Sequence, residues 1–265
     1  MSKVRARLVK REYPIRNRKG KKESLAVLEN FNLDIYEGEF LSLLGQSGCG
    51  KTTFLNLLAG LEKIDGGKIL VDGKPLDERS FNRGFVFQSY ALFPWRTVIK
   101  NIEIGLEIRK IKAKKRREIA RHYLDIIGLR AFENQYPHQL SGGMKQRVAI
   151  ARVLAYKPEL ILMDEPFAAL DAQTRESLQI ELLRIWEADK KTIVFVTHSI
   201  DEAILLSDRV AFMSAGNIKE IIDVDLPRPR SKKIFGSPEF LRIHEKIKRL
   251  LQEEALQKLS YGAYL

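Results

Sequence analysis

At 265 residues with a 45% apolar fraction, the chain suits one packed domain carrying a helical subdomain or a modest C-terminal tail. No apolar run approaches the ~18 residues that a membrane helix needs, and Met1-Ser2-Lys3-Val4-Arg5-Ala6-Arg7 lacks a signal peptide's apolar segment, so the sequence reads as soluble and cytoplasmic. The single cysteine, Cys49, excludes an intrachain disulfide framework and a cysteine zinc cluster, while a formal net charge of +12 points to an anionic surface or ligand.

That positive excess lies before Lys22 and again between Arg109 and Arg121, where Lys110, Lys112, Lys114, Lys115, Arg116 and Arg117 crowd together. A solvated helix face with a frayed basic arm accounts for it, and so does attraction to anionic lipid at a membrane's cytoplasmic face. Nucleic acid is not expected, because no aromatic stacking pattern or reading motif accompanies the charges.

Leu25 to Ile35 and Ile69 to Val71 are expected to form antiparallel strands, with turns at Asp65-Gly66-Gly67 and Asp72-Gly73. Between them, Glu39 to Leu44 is an apolar run ending in glycine, a buried strand entering a turn. Lys51 to Ala59 then carries Phe54, Leu55, Leu57 and Leu58 at helical spacing and stops at Gly60, a C-cap.

Further buried strands are expected at Gly84 to Phe87, Leu160 to Met163, Thr192 to Val196 and Val210 to Met213, with helical stretches between several of them. This alternation predicts an α/β fold with a mostly parallel core sheet, preceded by an N-terminal antiparallel β-subdomain. Between about Thr97 and Lys157 charged amphipathic sequence replaces the strand signal, which reads as an inserted α-helical subdomain. The expected nucleotide-binding domain runs over 1–226. A basic linker, Pro227-Arg228-Pro229-Arg230, and a C-terminal amphipathic helix from about Pro238 to Leu259 occupy 227–265.

Gly45-Gln46-Ser47-Gly48-Cys49-Gly50-Lys51-Thr52, followed by Thr53, has the spacing that curls successive backbone N–H groups around phosphate oxygens at a helix N-terminus. In such a loop Lys51 reaches the β- and γ-phosphates and the Thr52 hydroxyl ligates Mg²⁺, which makes ATP with Mg²⁺ the expected cofactor pair. Asp164, after four apolar residues, should emerge at the sheet's C-terminal edge to hold hydrated Mg²⁺, and Glu165 beside it can accept a proton from the attacking water. Leu140-Ser141-Gly142-Gly143-Met144-Lys145-Gln146-Arg147 reads as a second phosphate-binding helix start, with Ser141 as N-cap.

This octet resembles the signature motif of the ABC transporter ATPases, and Lys51, Gln88, Ser141, Asp164, Glu165, Asp171 and His198 fall in that family's order. The resemblance covers nearly the whole chain and implies the family's P-loop NTPase fold. It also implies a head-to-tail dimer in which Ser141, Gly142 and Gly143 of one copy close on the nucleotide held by Lys51 of the other. Gln88 resembles the glutamine that touches Mg²⁺ and the attacking water, His198 the switch histidine at the γ-phosphate, and Asp171 the aspartate of the cross-dimer loop. Ala168-Ala169-Leu170 departs from the serine or glycine common before that aspartate. Tyr13 stands either as the aromatic that stacks on adenine or as a tyrosine without that role, since the basic insertion Arg16 to Lys22 disturbs the alignment.

The stretch Gln88 to Val98 with its Pro94-Trp95-Arg96 core, the run Asp164 to Arg175, and Leu226 to Arg230 resemble importers of nitrate, sulfonate, taurine and related small anions. The implied partners are a second copy of the chain, membrane permease subunits that dock on the helical subdomain near Trp95, and indirectly a substrate-binding protein. The rival readings are a soluble ABC-type ATPase acting on nucleic acid or ribosomes and a P-loop kinase. The missing coiled coil and second ATPase half disfavour the first, and the signature octet and His198 disfavour the second.

Overall fold

The computed structural model describes residues 1–16, 22–76 and 82–262; the core of the basic insertion, 17–21, and the chain end, 263–265, lie outside the described residues. The chain divides into two compact units, Met1–Arg79 with Thr192–Leu265, and Ser80–Lys191.

The first unit opens with β1 (Ser2–Arg16), antiparallel to β2 (Lys22–Tyr36) on one side and to β4 (Gly66–Val71) on the other, with β5 (Lys74–Pro75) at the edge. Val4, Ala6 and Val9 of β1 are buried, as are Leu28, Phe31, Leu33, Ile35 and Ile69 of its neighbours, so one face of the sheet is apolar. The intervening cations are neutralised locally: Lys3 pairs with Asp72 at 2.9 Å, Arg7 with Asp34 at 2.7 Å and Arg11 with Glu62 at 3.0 Å. The frayed basic arm is thereby corrected, because residues 2–16 form an interior strand.

Gly66 and Gly67, expected in a turn, instead begin β4. Gly67 adopts φ +77°, and a Cβ there would lie 2.2 Å from the Leu8 carbonyl oxygen, so the close passage beside the register shift between Arg7 and Lys10 requires glycine. The Asp72-Gly73 turn forms, with φ of 52° and 74° at its two residues.

The second sheet region of this unit sets β3 (Phe40–Leu44) between β8 (Thr192–Thr197) and β9 (Arg209–Ser214), all parallel, with β10 (Asn217–Asp223) antiparallel to β9. β3 and β8 are buried throughout, as continuous apolar runs require when both sheet faces are covered. Helix α1 (Lys51–Ala59) ends at left-handed Gly60, whose N–H bonds the Asn56 and Leu57 carbonyls. Phe54 of α1 packs on Phe31 of β2 with ring centroids 4.5 Å apart.

Helices α6 (Ile200–Leu206) and α7 (Pro238–Gly262) close a core containing Leu44, Ile204, Phe212, Phe240 and Ile247. Arg230, only 5% exposed, locks this region. Its guanidinium donates to the carbonyls of Ile204 at 2.9 Å, Ser207 at 2.6 Å, Val224 at 2.8 Å and Leu226 at 3.1 Å. A buried cation thus collects the carbonyls left over at the end of α6 and along the segment after β10.

In the second unit β6 (Arg83–Val86) and β7 (Leu160–Asp164) run parallel, with Val86 opposite Met163. Helices α2 (Val98–Ile108), α3 (Ala113–Ile126) and α4 (Gly142–Ala155) share an apolar cluster formed by Val98, Ile102 and Leu106, Ala120 and Leu124, and Val148 and Ala151. Helix α5 (Ala172–Ala188) buries Leu178, Leu182, Leu183 and Trp186. Fully buried Asn101 accepts the Phe93 N–H at 2.8 Å and donates to the carbonyls of Phe93, Arg96 and Thr97, which fixes the loop carrying Trp95.

Arg230→Ala strips several buried carbonyls of their donor and should lower unfolding stability by about 2–4 kcal/mol. Urea denaturation followed by circular dichroism reads this out; a midpoint equal to that of the parent chain removes Arg230 from the locking role.

Candidate functional site

In the first unit β3 and β8 end side by side, Leu44 opposite Thr197, so the loop after Leu44 and the residue after Thr197, His198, leave the same sheet edge. Gly45 passes so close to β9 that a Cβ would stand 2.2 Å from the Met213 carbonyl oxygen. The loop then turns through Gly48 at φ 80° and Gly50 at φ 101°, both left-handed, into α1, whose N-terminus has no side-chain cap. That leaves a helix start presented by its backbone, with Ser47, Gly48 and Thr52 exposed and Thr53 half-buried.

Lys51 is buried at 6% exposure. Its ammonium folds back on its own loop, donating to the Gly45 carbonyl at 2.7 Å and the Gln46 carbonyl at 3.0 Å, with Cys49 Sγ at 3.8 Å. The Gln46 side chain in turn donates to the Leu251 carbonyl of α7 at 3.4 Å. His198 is exposed. The turn behind it is set by Ser199, which accepts the Glu202 N–H at 3.3 Å, and by the Thr197 hydroxyl, which donates to Glu202 at 2.6 Å and accepts the Ser199 N–H.

Tyr13 donates its hydroxyl to Glu62, and the Arg11 guanidinium lies 4.6 Å from the centre of its ring. Burial alone would raise the Glu62 carboxyl, but hydrogen bonds from Tyr13, Asn56 and Arg11 more than offset it and hold the group below its ordinary range.

In the second unit the parallel pairing of β6 and β7 delivers Gln88 and the Asp164-Glu165 pair to one edge, where the Gln88 amide approaches a Glu165 carboxylate oxygen at 3.4 Å. Glu165 is held at φ +42°, a left-handed conformation that a residue with a Cβ adopts at a cost. Tyr90 and Ala91, just past Gln88, share it at φ 61° and 45°.

What pins them is Arg152 of α4, mostly buried, which donates to the Tyr90 carbonyl at 3.1 Å and the Ala91 carbonyl at 2.5 Å. Burial lowers its pKa from the ordinary arginine value. Arg152 is not singled out by the sequence; the signal is a cation among the apolar residues Val148, Ala151 and Leu154 at helical spacing.

Ser141 caps α4 by accepting the Met144 N–H at 3.3 Å, and Asp171 caps α5 by accepting the Thr174 N–H at 2.9 Å. That backbone hydrogen bond from Thr174 holds the exposed Asp171 carboxyl below its usual range. A Cβ on Gly143 would meet Thr174 Cγ2 at 2.5 Å, so the starts of α4 and α5 touch and any side chain at 143 would push Thr174 aside. The unit therefore brings together Gln88 with Glu165, and Gly143 with the Asp171 turn.

An apolar cavity of about 550 Å³ opens beside the Gln88 loop, lined among others by Phe85, Phe87, Phe93, Ile104, Ile108 and Tyr156. Trp95, 71% exposed, stands edge-on to Phe93 with centroids 5.5 Å apart. Among the described residues no three His, Cys, Asp or Glu side chains gather into a metal cage.

A family model described as ABC transporter matches residues 28–168, more than half of the chain. An uncharacterised ABC transporter ATP-binding protein of Methanocaldococcus jannaschii is 56% identical over 234 residues, 88% of this chain and 86% of that one. An aliphatic sulfonates import ATP-binding protein of Bacillus cereus is 45% identical over 244 residues, 91% and 92% of the two chains. Among solved structures, a dimeric ATP-binding cassette in a post-hydrolysis state bound to ADP and Pi superposes with a TM-score of 0.75 at 34% identity, covering 84% of this chain and all of that one.

Gly45→Ala forces the loop away from Met213. It should weaken binding of a fluorescent ATP analogue by roughly tenfold or more, about 1.4 kcal/mol. Unchanged affinity in a fluorescence titration would show that the close passage is not needed for the cradle.

Proposed function

The chain belongs to the ABC transporter family as an ATP-hydrolysing, ATP-binding subunit, and on that premise we propose that it powers an importer of small anions such as nitrate, sulfonate or taurine. The observation that carries the importer reading is the identity to an aliphatic sulfonate import ATPase along nine-tenths of both chains. The Pro94-Trp95-Arg96 core after the Gln88 loop supports the same branch.

In this reading the Gly45 to Thr53 loop holds the triphosphate through its backbone N–H groups. Lys51 exchanges two neutral carbonyl acceptors for phosphate oxygens, which make stronger, charge-assisted hydrogen bonds. Thr52 and Asp164 supply oxygens to Mg²⁺, which when bound neutralises charge on the phosphates. Glu165 takes the proton of the attacking water, and Gln88, 3.4 Å from its carboxylate, helps orient that water. His198 contacts the γ-phosphate.

Ser141, Gly142, Gly143 and Asp171 act across a head-to-tail dimer on the nucleotide of a second copy. Their side chains and backbone are committed to two helix starts, the geometry that offers N–H groups to an anion. Tyr13 stacks on adenine only if Arg11 yields one ring face. Peripheral attachment at the cytoplasmic face of the membrane follows from docking of permease subunits into the apolar cavity beside Trp95, with a substrate-binding protein as an indirect partner. No helix among the described residues is long and apolar enough to cross a membrane.

Glu165→Gln should retain Mg·ATP binding, accumulate as a dimer on size exclusion, and hydrolyse ATP roughly a hundred- to ten-thousandfold more slowly. Normal turnover by that variant removes Glu165 as the base. Trp95→Ala should leave ATP affinity intact while lowering the stimulation of ATPase activity by the permease in reconstituted vesicles; equal stimulation counts against docking at this loop.

A further inference from the structure

The cations between Arg109 and Arg121 divide into two groups. Arg117 pairs with Glu103 at 2.7 Å, Arg121 with Glu133 at 3.0 Å, and Arg116 approaches Glu103 and Glu107 at 3.5 and 3.6 Å. These three fasten the helices. Lys110, Lys112 and Lys114 are exposed and make no ion pair among the described residues, and Lys115 reaches only the exposed Glu118 at 3.5 Å.

The side chains of Lys110, Lys112 and Lys114 make no salt bridge that fastens the helices among the described residues. No acidic residue offsets them in the first turn of α3, where cations oppose the helix dipole. They stand beside exposed apolar groups. Ile108 is 54% exposed two residues before Lys110, and the Arg96 to Glu107 pair at 2.8 Å holds the Trp95 segment against the last turn of α2. A cavity of about 500 Å³ opens at the same corner. Its apolar lining includes Leu106, Ile111 and Ile119, while exposed Lys115 and Lys157 supply cations and Glu118 one acid.

We propose that this α2–α3 corner is a docking surface for anionic phospholipid. Unpaired lysines meet the headgroups, while Ile108 at the last turn of α2 sits at the level of the headgroup and acyl boundary. Charge complementarity carries the anionic partner, and the exposed apolar side chains with an apolar-lined cavity favour a lipid surface over a nucleic-acid duplex, whose backbone offers nothing for them. The placement at a membrane rests on the transport reading above; the binding chemistry does not.

The test sediments the purified full chain, without permease, with vesicles of phosphatidylcholine alone and of phosphatidylcholine mixed with phosphatidylglycerol. Binding should require phosphatidylglycerol and be lost at high salt. Replacing Lys110, Lys112 and Lys114 together by alanine should lower it roughly a hundredfold at low salt, from the usual contribution of a lysine near a charged surface. Replacing the same three by arginine should preserve it, and thermal melts and ATP-analogue binding confirm that both variants are folded. Absence of parent binding, equal binding by the alanine variant, displacement by millimolar inorganic phosphate at matched ionic strength, or retention on a DNA duplex in preference to the vesicles would each overturn the proposal. Copurification with the permease is scored separately: its failure with vesicle binding intact removes the transport reading and leaves the lipid surface standing.

Discussion

A lysine ammonium buried in a loop of its own carbonyls is the constraint on which the first unit is organised. An ammonium taken out of water must be hydrogen-bonded, and Lys51 finds its acceptors in Gly45 and Gln46 only because the chain reverses between β3 and α1 within a few residues. That reversal depends on Gly45 passing against Met213, and Met213 is where it is because β9 pairs in parallel with β3. The start of α1 is held from below by Phe54 on Phe31, and from the side by α7 through Gln46. The cradle is thus the common end of two sheets and two helices, and altering any of them moves the ammonium.

The second unit stores its constraint as backbone strain. Glu165, Tyr90 and Ala91 all occupy left-handed conformations that side chains disfavour by about 1–3 kcal/mol each. Arg152 offsets part of that by bonding two carbonyls of the Gln88 loop from α4, the helix that Ser141 caps. The helix that starts at Ser141 therefore also carries the guanidinium that holds the two residues just past Gln88. The strain at Glu165 fits a carboxylate aimed where a relaxed strand end would not aim it.

Sequence legibility follows the range of the interactions involved. β3, the phosphate loop and α1 up to Gly60 are readable because strand, glycines, helix and cap are consecutive and each step is decided by neighbours within a few residues. β1 is not, because its alternation of Val4, Ala6 and Val9 is buried under cations whose partners, Asp34, Glu62 and Asp72, come from distant segments. β10 escapes for another reason: in Asn217–Asp223 the isoleucines Ile218, Ile221 and Ile222 do not alternate regularly, and the edge is half-exposed. Arg230 looks like part of a basic linker, and Arg152 like an ordinary helix residue. Their acceptors are carbonyls at the ends of other elements, which no local pattern records.

The excess of positive charge sorts by what each cation bonds. Arg7, Arg11, Arg117 and Arg121 face carboxylates, so their charge is spent within the fold. Lys51 and Arg152 bond neutral carbonyls. Carbonyls satisfy a cation's hydrogen bonds but leave its charge uncancelled, so such a group still attracts an anion that can reach it. Arg152 is enclosed by the segments it fastens, whereas Lys51 sits under a loop whose Gly48 and Thr52 are exposed. A carboxylate partner at Lys51 would compete with every incoming phosphate. Two backbone oxygens compete far less, which keeps the cradle folded and receptive at once.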